Sequence, residues 1–278
     1  MWNKVSNRET NVAVFEDTAR LCKENDMLAK ALNASIANQV LVFTDTPIEV
    51  DKNRYDYPAN IIVSKKRSFE AASAYAKTDS KVCVLNFASA TTPGGGVKTG
   101  ASAQEEALCR ISTLYPCLQE ENLWKRFYMP HREARNYAYN ADAIYTPDVV
   151  VFKTDNATPK LMSKDDWYQV DVVTCAAPNL NHIKNSGGKV PSEKELLSIF
   201  KERLSRVLAL ALQNKCDTVI LGAFGCGAFG NPPRIVARAA KEVAEEYRYA
   251  FKTIEFAVFC TPRDEENYKV FEQTMKNM

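Results

Sequence analysis

Residues 91–110 read Thr-Thr-Pro-Gly-Gly-Gly-Val-Lys-Thr-Gly-Ala-Ser-Ala-Gln-Glu-Glu-Ala-Leu-Cys-Arg, a glycine-rich segment that runs directly into two adjacent glutamates. The three glycines at 94–96 remove every Cβ atom from that stretch, so the backbone there can adopt positive φ angles and lie close to a ligand. Glu105 and Glu106 follow where a new helix is predicted to begin. Two carboxylates at such a place are candidates for general acid and base chemistry on a sugar or an ester.

A structural role for one of these glutamates is an open alternative. Ser102 and Glu105 have the spacing of a capping box, in which the glutamate three residues after a capping serine binds back to the serine amide. Carboxylates also favour the first turn of a helix because of the helix dipole. Glu106 does not belong to that pattern, and a simple turn needs one glycine rather than three. Both points favour a ligand site over a plain helix start.

Composition limits the possible functions. The chain has 278 residues, of which 46% are hydrophobic and 25% charged, as expected for a soluble protein with one substantial core. Its formal net charge of +2 argues against general nucleic-acid binding. No apolar run reaches the length of about 18 residues that a membrane helix needs, and residues 1–10 lack the apolar core of a signal peptide. Eight cysteines without C-x-x-C spacing favour a reduced, cytoplasmic protein that does not bind membranes.

Hydrophobic periodicity predicts an α/β fold with an extension. Apolar positions in residues 10–35 recur at helical spacing, which predicts one or two amphipathic helices. From residue 39 onwards, β-branched runs alternate with helical stretches, as in a buried sheet flanked by helices. We therefore expect an N-terminal helical extension at 1–36, packed on a main domain at 37–278. The predicted strands are 82–87, 149–153, 170–175, 218–221 and 254–260, the predicted helices are 68–76, 103–112, 192–214, 232–249 and 264–276, and the predicted loops or lids are 153–166 and 179–194.

A second glycine-rich segment follows the predicted strand at 218–221. Residues 222–231 read Gly-Ala-Phe-Gly-Cys-Gly-Ala-Phe-Gly-Asn, and 225–230 match the G-x-G-x-x-G pattern of dinucleotide-binding proteins. The match lies far from the N-terminus, two prolines follow it, and no acid stands about 20 residues further on at the end of a second strand. Backbone amides before a helix still suit a diphosphate. Phe224 and Phe229 are predicted either to pack in the core or to contact a ligand.

Other chemistries find little support in the sequence. Val97 separates the first glycine run from Lys98 and Thr99, which excludes a phosphate-binding P-loop. A Cys/His hydrolase needs a histidine near its nucleophile, but His131 and His182 both fall in polar, loop-like segments and are predicted to lie on the surface. No His/Cys cluster or paired-aspartate pattern points to a metal, so we expect neither a metal nor a cofactor.

Several motifs in order resemble a known family. Residues 84–90 (Val-Leu-Asn-Phe-Ala-Ser-Ala), 93–96 (Pro-Gly-Gly-Gly) and 104–110 (Gln-Glu-Glu-Ala-Leu-Cys-Arg) are similar to the glycine-rich and Gln-Glu-Glu motifs of bacterial-type poly(ADP-ribose) glycohydrolases. The similarity continues at 114–115, 144–149, 177–179 and 221–231, and spans roughly residues 7–259. Phe224 and Gly230 depart from the family, which often has tryptophan and a larger or basic residue there. The resemblance implies a three-layer α/β/α macrodomain with a mixed central sheet, in which 37–278 form the catalytic domain.

The resemblance also implies residue roles. In the family the glycine-rich loop curves around the terminal ribose and the diphosphate, and the second loop encloses the diphosphate. Carried over to this chain, Glu106 would be the catalytic acid and base, Glu105 would accept a ribose hydroxyl, and Phe229 would pack beside the scissile ribose. The implied substrate-binding residues are Asn86, Gly94, Gly95, Gly96, Gln104, Gly222, Gly225, Cys226, Gly227, Ala228 and Phe229.

The expected function is therefore a glycosidase that releases ADP-ribose from the terminus of ADP-ribose polymers on modified proteins. Breaking a ribose O-glycosidic bond requires protonation of the leaving oxygen while positive charge grows on the anomeric carbon. Adjacent glutamates cannot flank that bond, so one residue would protonate the oxygen and then activate water. A mono-ADP-ribosyl or ADP-ribose ester hydrolase and a non-catalytic ADP-ribose reader are the alternatives. The pair of glutamates favours an enzyme over a reader, and an NAD-dependent Rossmann oxidoreductase is less favoured than either.

Overall fold

A single mixed β-sheet forms the centre of the computed structural model, which describes residues 7–78 and 80–278. The strands are β1 (Val40–Val42), β2 (Asn60–Ser64), β3 (Val82–Phe87), β4 (Ala143–Val151), β5 (Tyr168–Cys175), β6 (Thr218–Leu221) and β7 (Thr253–Ala257). Their order across the sheet is β1-β4-β5-β3-β6-β7-β2. Strands β2, β7, β6, β3 and β5 run parallel to one another, whereas β4 is antiparallel to β5 and β1 is antiparallel to β4.

Helices connect the strands. They are α1 (Asn7–Glu24), α2 (Asp26–Asn38), α3 (Ser68–Ala76), α4 (Gln104–Ile111), α5 (Leu114–Leu118), α6 (Glu121–Leu123), α7 (Met129–Ala134), α8 (Leu180–Asn185), α9 (Glu193–Gln213), α10 (Pro233–Glu246) and α11 (Glu266–Met275). A π-helix at Trp124–Tyr128 joins α6 to α7, and 3₁₀-helices lie at Val97–Thr99 and Lys164–Asp166. None of the helices in the described ranges is long and apolar enough to cross a membrane.

The two faces of the sheet are buried by two separate cores. Successive side chains of a strand point to opposite faces. In β3, Cys83 and Leu85 pack into a core that also takes buried residues of α9, α10 and α11. Val82 and Val84 pack on the other face, in a core with residues of α3, α4 and α5. The chain is therefore a three-layer α/β/α structure, as predicted.

The parallel strands place their carboxyl ends along one edge of the sheet. In open α/β sheets ligands bind at that edge, where strand order changes direction. The chain makes such a change at β3, because its two neighbours, β5 and β6, both come later in the sequence and lie on opposite sides of it. The loops that follow β3 and β6 are the two glycine-rich segments. The fold thus brings them side by side.

The sequence predicted most of these elements, and its errors have local causes. Strands 82–87 and 218–221 and helix 68–76 match the structure residue for residue. Strand β4 begins six residues earlier than the predicted start at 149. The prediction missed its first half because the strand is irregular between Thr146 and Val149, where its register with β5 shifts. Pro147 and Asp148, whose φ is +54°, occupy that irregularity. Strand β2 and helices α5, α6 and α7 were not predicted, and α8 lies inside the predicted loop 179–194.

The two N-terminal helices agree with the amphipathic pattern, and the first of them supports the first glycine-rich loop. Residues 1–6 of the predicted extension lie outside the described ranges. Phe15 of α1 is buried and meets the ring of Tyr115 edge-on, with 4.8 Å between ring centroids. Asn11 Nδ2 donates to the carbonyl oxygen of Gly100 at 3.0 Å. The backbone of Arg8 lies so close to Gly100 that a Cβ atom there would overlap it. Helix α1 therefore packs against the end of the loop that carries the three glycines.

Candidate active site

A cleft of about 370 Å³ opens at the carboxyl ends of the parallel strands. One end is formed by Arg67 and Phe259, which follow β2 and β7. The other end is formed by Gly95, Glu105 and Glu106, whose loop and helix follow β3. The loop after β6 lies between the two ends, as the order of the strands requires. The cleft thus crosses the sheet edge from β2 towards β3.

Gln104 fixes the start of α4 to the end of β3. Its Oε1 accepts from the amide of Phe87 at 2.9 Å. Its Nε2 donates to the carbonyl oxygen of Leu85 at 2.8 Å and to Ser68 Oγ at 3.0 Å. Both donor hydrogens of the amide are therefore used within the protein. This arrangement places the next two residues of the helix at the mouth of the cleft.

Glu105 is held by protein groups around its carboxyl. Its Oε2 accepts from the amide of Ser89 at 2.8 Å, and its Oε1 accepts from Asn86 Nδ2 at 3.3 Å. Burial raises the pKa of Glu105 to about 8, because the loss of solvation outweighs these hydrogen bonds. The capping-box interpretation is wrong: α4 has Ala103 as its N-cap and no side-chain cap. Glu105 therefore serves the cleft rather than the helix end.

Glu106 has one fixed and one free carboxyl oxygen. Its Oε1 accepts from the amide of Gly96 at 2.9 Å. Its Oε2 is buried and has no hydrogen-bond partner within residues 7–78 and 80–278. The side chain lines the cleft and is only 8% exposed. An unpartnered carboxyl oxygen beside a cleft is where a reacting group can be protonated.

The glycine run is shaped by the two carboxyls. Gly95 has φ of +55°, and a Cβ atom there would lie 2.5 Å from Glu106 Oε1 and 3.2 Å from Glu105 Oε2. Gly94, with φ of +67°, lies against the ring of Tyr115. The absence of side chains thus allows the backbone to pass directly over the glutamates. This close approach accounts for why the loop needs more than one glycine.

The second glycine-rich loop lines the cleft and carries three free backbone amides. The amides of Gly227, Ala228 and Phe229 donate to no protein acceptor in the described part of the chain. Consecutive backbone N–H groups of this kind form an anion site. The loop is held in shape by Asn231, whose Nδ2 donates to Pro178 O at 2.8 Å and to Gly225 O at 2.9 Å. The loop therefore suits a diphosphate.

The same loop does not have the geometry of a Rossmann turn. Helix α10 begins at Pro233 with Pro232 as its N-cap, and neither residue has an N–H to offer an anion. Gly225 and Gly230 adopt positive φ angles of +74° and +71°, but Gly227 does not. A Cβ atom at Gly227 would meet nothing within 4 Å. The free amides, rather than a helix terminus, are therefore the groups of this loop that suit an anion.

Two aromatic residues of this loop have different surroundings. Phe224 is fully buried and packs on Phe87 and Phe200, with ring centroids 5.6 and 5.8 Å away. Phe229 is only half-buried, and both phenylalanines line the cleft. Of the two alternatives from the sequence, core packing dominates for Phe224 and a ligand contact is available to Phe229.

The histidine prediction was half wrong. His131 is buried in α7, where its ring nitrogens lie 2.7 Å from Phe127 O and 2.8 Å from Asn140 Oδ1. Polar neighbours in the sequence concealed that burial, because the helix there was not predicted. His182 is exposed on α8. Within residues 7–78 and 80–278 no group of three or more His, Cys, Asp or Glu side chains could hold a metal ion.

The structure brings together only some of the sequence-predicted site residues. Those that line the cleft are Gly95, Gln104, Glu105, Glu106, Gly225, Gly227, Ala228 and Phe229. The remaining ones lie behind its wall: Asn86, Gly94, Gly96, Gly222 and Cys226. Asn86 is fully buried and contacts Glu105 and Thr174, and Gly222 packs on the carbonyl oxygen of Ala257. These residues support the wall of the cleft and the side chain of Glu105.

Sequence reasoning missed the far end of the cleft. There the guanidinium of Arg67 lies 3.9 Å from the ring centroid of Phe259, whose side chain is half exposed. Asp155 lines the same end and accepts from the amides of Phe69 and Glu70 at 3.0 and 3.2 Å. An apolar ring directly after a strand, at the edge where ligands bind, was the available signal for Phe259. Arg67 gave no comparable signal.

Comparison with known proteins identifies the family. A model of the microbial-type poly(ADP-ribose) glycohydrolase catalytic domain matches residues 8–154, more than half of the chain. The chain belongs to this family. Three relatives illustrate its range. The glycohydrolase of Thermomonospora curvata, solved with the inhibitor ADP-HPD, is 28% identical and has a TM-score of 0.83, with 96% of this chain and 99% of that chain covered.

The other two relatives differ in how much of the chain they match. The poly(ADP-ribose) glycohydrolase of Deinococcus radiodurans, solved with ADP-ribose, is 30% identical with a TM-score of 0.78, over 88% of this chain and 96% of that chain. A macro domain-containing protein of Vibrio parahaemolyticus is 36% identical over 62 residues, which are 22% of this chain and 36% of that protein. The two glycohydrolases therefore share most of the fold with this chain, whereas the sequence match to the Vibrio protein covers one segment.

Proposed function

We propose that this glycosidase cleaves the ribose–ribose O-glycosidic bond at the terminus of an ADP-ribose polymer and releases ADP-ribose. The observation that carries the proposal is the asymmetric binding of the Glu106 carboxyl. Its Oε1 is held by the Gly96 amide, its buried Oε2 has no protein partner among the described residues, and the side chain lines the cleft. A carboxylic acid held in this way can deliver a proton in one fixed direction.

The reaction requires Glu106 to give a proton to the leaving oxygen and then to take one from water. As the bond between the anomeric carbon and the leaving oxygen breaks, its electron pair goes to the oxygen, which takes the proton of Glu106. Water then attacks the anomeric carbon and returns a proton to the Glu106 carboxylate. Burial raises the pKa of Glu105 to about 8, so this neighbour stays neutral near pH 7 and does not add a second negative charge.

The remainder of the substrate has matching surroundings along the cleft. We place the diphosphate on the free amides of Gly227, Ala228 and Phe229. This leaves the terminal ribose at the glutamates and the adenine at the ring of Phe259, which is half exposed and backed by Arg67. A base stacked on an aromatic ring gains about 1–3 kcal/mol. All three parts of ADP-ribose thus have a complementary surface in one cleft.

The decisive experiment compares Glu106→Gln with the unchanged protein on auto-modified poly(ADP-ribose), with products identified by mass spectrometry. A positioned acid contributes about 10²- to 10⁴-fold in rate, so turnover should fall by at least that factor while the affinity for ADP-ribose is kept. Unchanged turnover would remove Glu106 from the mechanism. Release of single ADP-ribose groups from modified proteins, with polymers left intact, would instead favour the mono-ADP-ribosyl hydrolase.

Calorimetry tests the diphosphate site separately. Because backbone amides rather than a metal hold the anion, ADP-ribose should bind much more tightly than adenosine in the presence of excess chelator. NAD should bind weakly, since its nicotinamide would stand at Glu106 and Phe229. Equal affinities for adenosine and ADP-ribose would contradict the amide site.

A further inference from the structure

Three cationic side chains lie on the two elements that contact the glycine run, the run that lines the glutamate end of the cleft. We call Lys98, Arg132 and Arg135 the cationic rim; all three are exposed. Lys98 lies in the 3₁₀-helix that directly follows the glycine run. Arg132 and Arg135 lie in the last turn of α7 and at its C-cap. The rim therefore comes from two elements that the chain brings to one place.

Contacts with the glycine loop fix this position. Arg132 Nη1 lies 3.4 Å from the carbonyl oxygen of Thr91, three residues before Gly94. Lys98 Nζ lies 5.8 Å from the ring centroid of Tyr115, the ring against which Gly94 packs. The loop between these two contacts is the one whose amide holds Glu106 Oε1. Lys98 and Arg132 thus lie against the loop that covers the Glu106 carboxyl, and Arg135 follows Arg132 at the end of the same helix.

The charges of the rim are not neutralised by the protein. Within the described ranges, none of Lys98, Arg132 and Arg135 forms an ion pair with an acidic side chain. Glu133 is the one acid in residues 131–135. Arg132 is instead backed by the ring of Trp124, 5.4 Å from its centroid. Cations on aromatic rings next to a cleft are typical of surfaces that bind single-stranded nucleotide chains.

We propose that the cationic rim binds the diphosphate of the penultimate ADP-ribose unit, on the leaving-group side of the scissile bond. The inference rests on the proposed function, which fills the rest of the cleft with the terminal unit. The adenine of the terminal unit lies at β2 and β7, and its ribose lies at the glutamates after β3. The next unit of the polymer therefore extends out of the cleft past the loop that follows β3. The rim occupies that side and carries the charge that a diphosphate requires.

The test measures binding rather than turnover, so that it stands whether or not the protein cleaves the polymer. In a Glu106→Gln background, Lys98→Gln/Arg132→Gln should weaken poly(ADP-ribose) binding by about tenfold at low salt and leave ADP-ribose binding unchanged. The slope of log affinity against log salt should become shallower by about 0.7 for each phosphate that the variant no longer neutralises. Because Arg132 also touches the loop, Lys98→Gln/Arg135→Gln provides a second variant that keeps the hydrogen bond to Thr91.

A remote double variant controls for overall charge. Lys23→Gln/Lys215→Gln removes the same charge from the last turn of α1 and from the segment before β6, at the opposite edge of the sheet. It should bind the polymer like the Glu106→Gln parent. Polymer binding that is unchanged in both rim variants, or weakened equally in the remote variant, would overturn the inference. Failure of the unchanged protein, with its glutamate at 106, to hydrolyse the polymer would count against the proposed function alone.

Discussion

Gly95→Ala tests whether the glycine run exists to fit the carboxyl of Glu106. The added Cβ atom would lie 2.5 Å from Glu106 Oε1, whereas real Cβ atoms essentially never come within 3.0 Å of another heavy atom. The carboxyl, or the loop above it, must therefore shift by at least about 0.5 Å. A misplacement of about 1 Å can cost 10²-fold in rate, so we expect kcat to fall between about tenfold and 10²-fold.

The same substitution also strains the backbone, and this second effect must be separated from the first. Gly95 has φ of +55°, and an alanine in the left-handed region costs roughly 1–2 kcal/mol of stability. Gly187 is the matched control, because its φ is +71° and a Cβ atom there would meet nothing within 4 Å. Gly187→Ala should lose similar stability in urea unfolding and keep full activity on the polymer.

The outcome is read from two measurements on each variant. Gly95→Ala should show a lower kcat at a temperature where it is fully folded, and Gly187→Ala should not. If Gly95→Ala were as active as the unchanged protein, the loop would not constrain Glu106. If Gly187→Ala lost as much activity, backbone strain rather than the collision with the carboxyl would explain the result.

Three further changes address other parts of the site. Glu105→Gln should flatten the pH dependence of the free energy of unfolding. The Glu105 carboxyl keeps its proton up to about pH 8 in the folded protein and loses it near pH 4.5 in the unfolded chain, so stability falls as pH rises through that window. Urea unfolding at pH 5.5 and 8 shows whether this fall persists without Glu105. In calorimetry, Phe259→Ala should weaken ADP-ribose binding by about 1–3 kcal/mol and leave the affinity for diphosphate ligands without adenine unchanged. Equal losses of affinity for both kinds of ligand would contradict an adenine contact. Phe15→Ala should lower the free energy of unfolding by about 3–5 kcal/mol and should also lower kcat, because Phe15 packs on Tyr115, which lies against Gly94. A stable and fully active variant would show that α1 does not support the site.

The sequence predicted the centre of the site better than its edges. The glycine run, the glutamate pair and the second loop are contiguous in sequence, so their residue types and spacing were visible without the fold. The far end of the cleft is assembled from residues after β2 and β7, which the sheet order places side by side, and from Asp155 after β4, which the amides of Phe69 and Glu70 hold there. Arg67 and Asp155 could not be found for that reason. The burial of His131 was missed because it depends on a helix whose apolar residues are interrupted by charges.

Sequence motifs also did not distinguish contact from support. Gln104 belongs to the motif, yet its amide is used by Phe87, Leu85 and Ser68. Gly222 stands in the second loop, but it is a glycine because the end of β7 passes too close for a side chain. A family motif records every residue that the site needs, including those that hold its wall. Only the hydrogen-bond partners show which residues of a motif face the ligand.

The N-terminal helices illustrate the same dependence on packing. The sequence suggested an extension at residues 1–36 that packs on a main domain at 37–278, without saying where. In the structure Arg8 and Asn11 contact Gly100, and Phe15 packs on the ring beneath Gly94. Lys153, which precedes the cleft residue Asp155, donates to the carbonyl oxygen of Val14 at 3.0 Å. Because the contacts of Arg8, Asn11 and Phe15 converge on the loop that holds Glu106, we propose that α1 is part of the catalytic unit and that its removal would release the glycine run from its support.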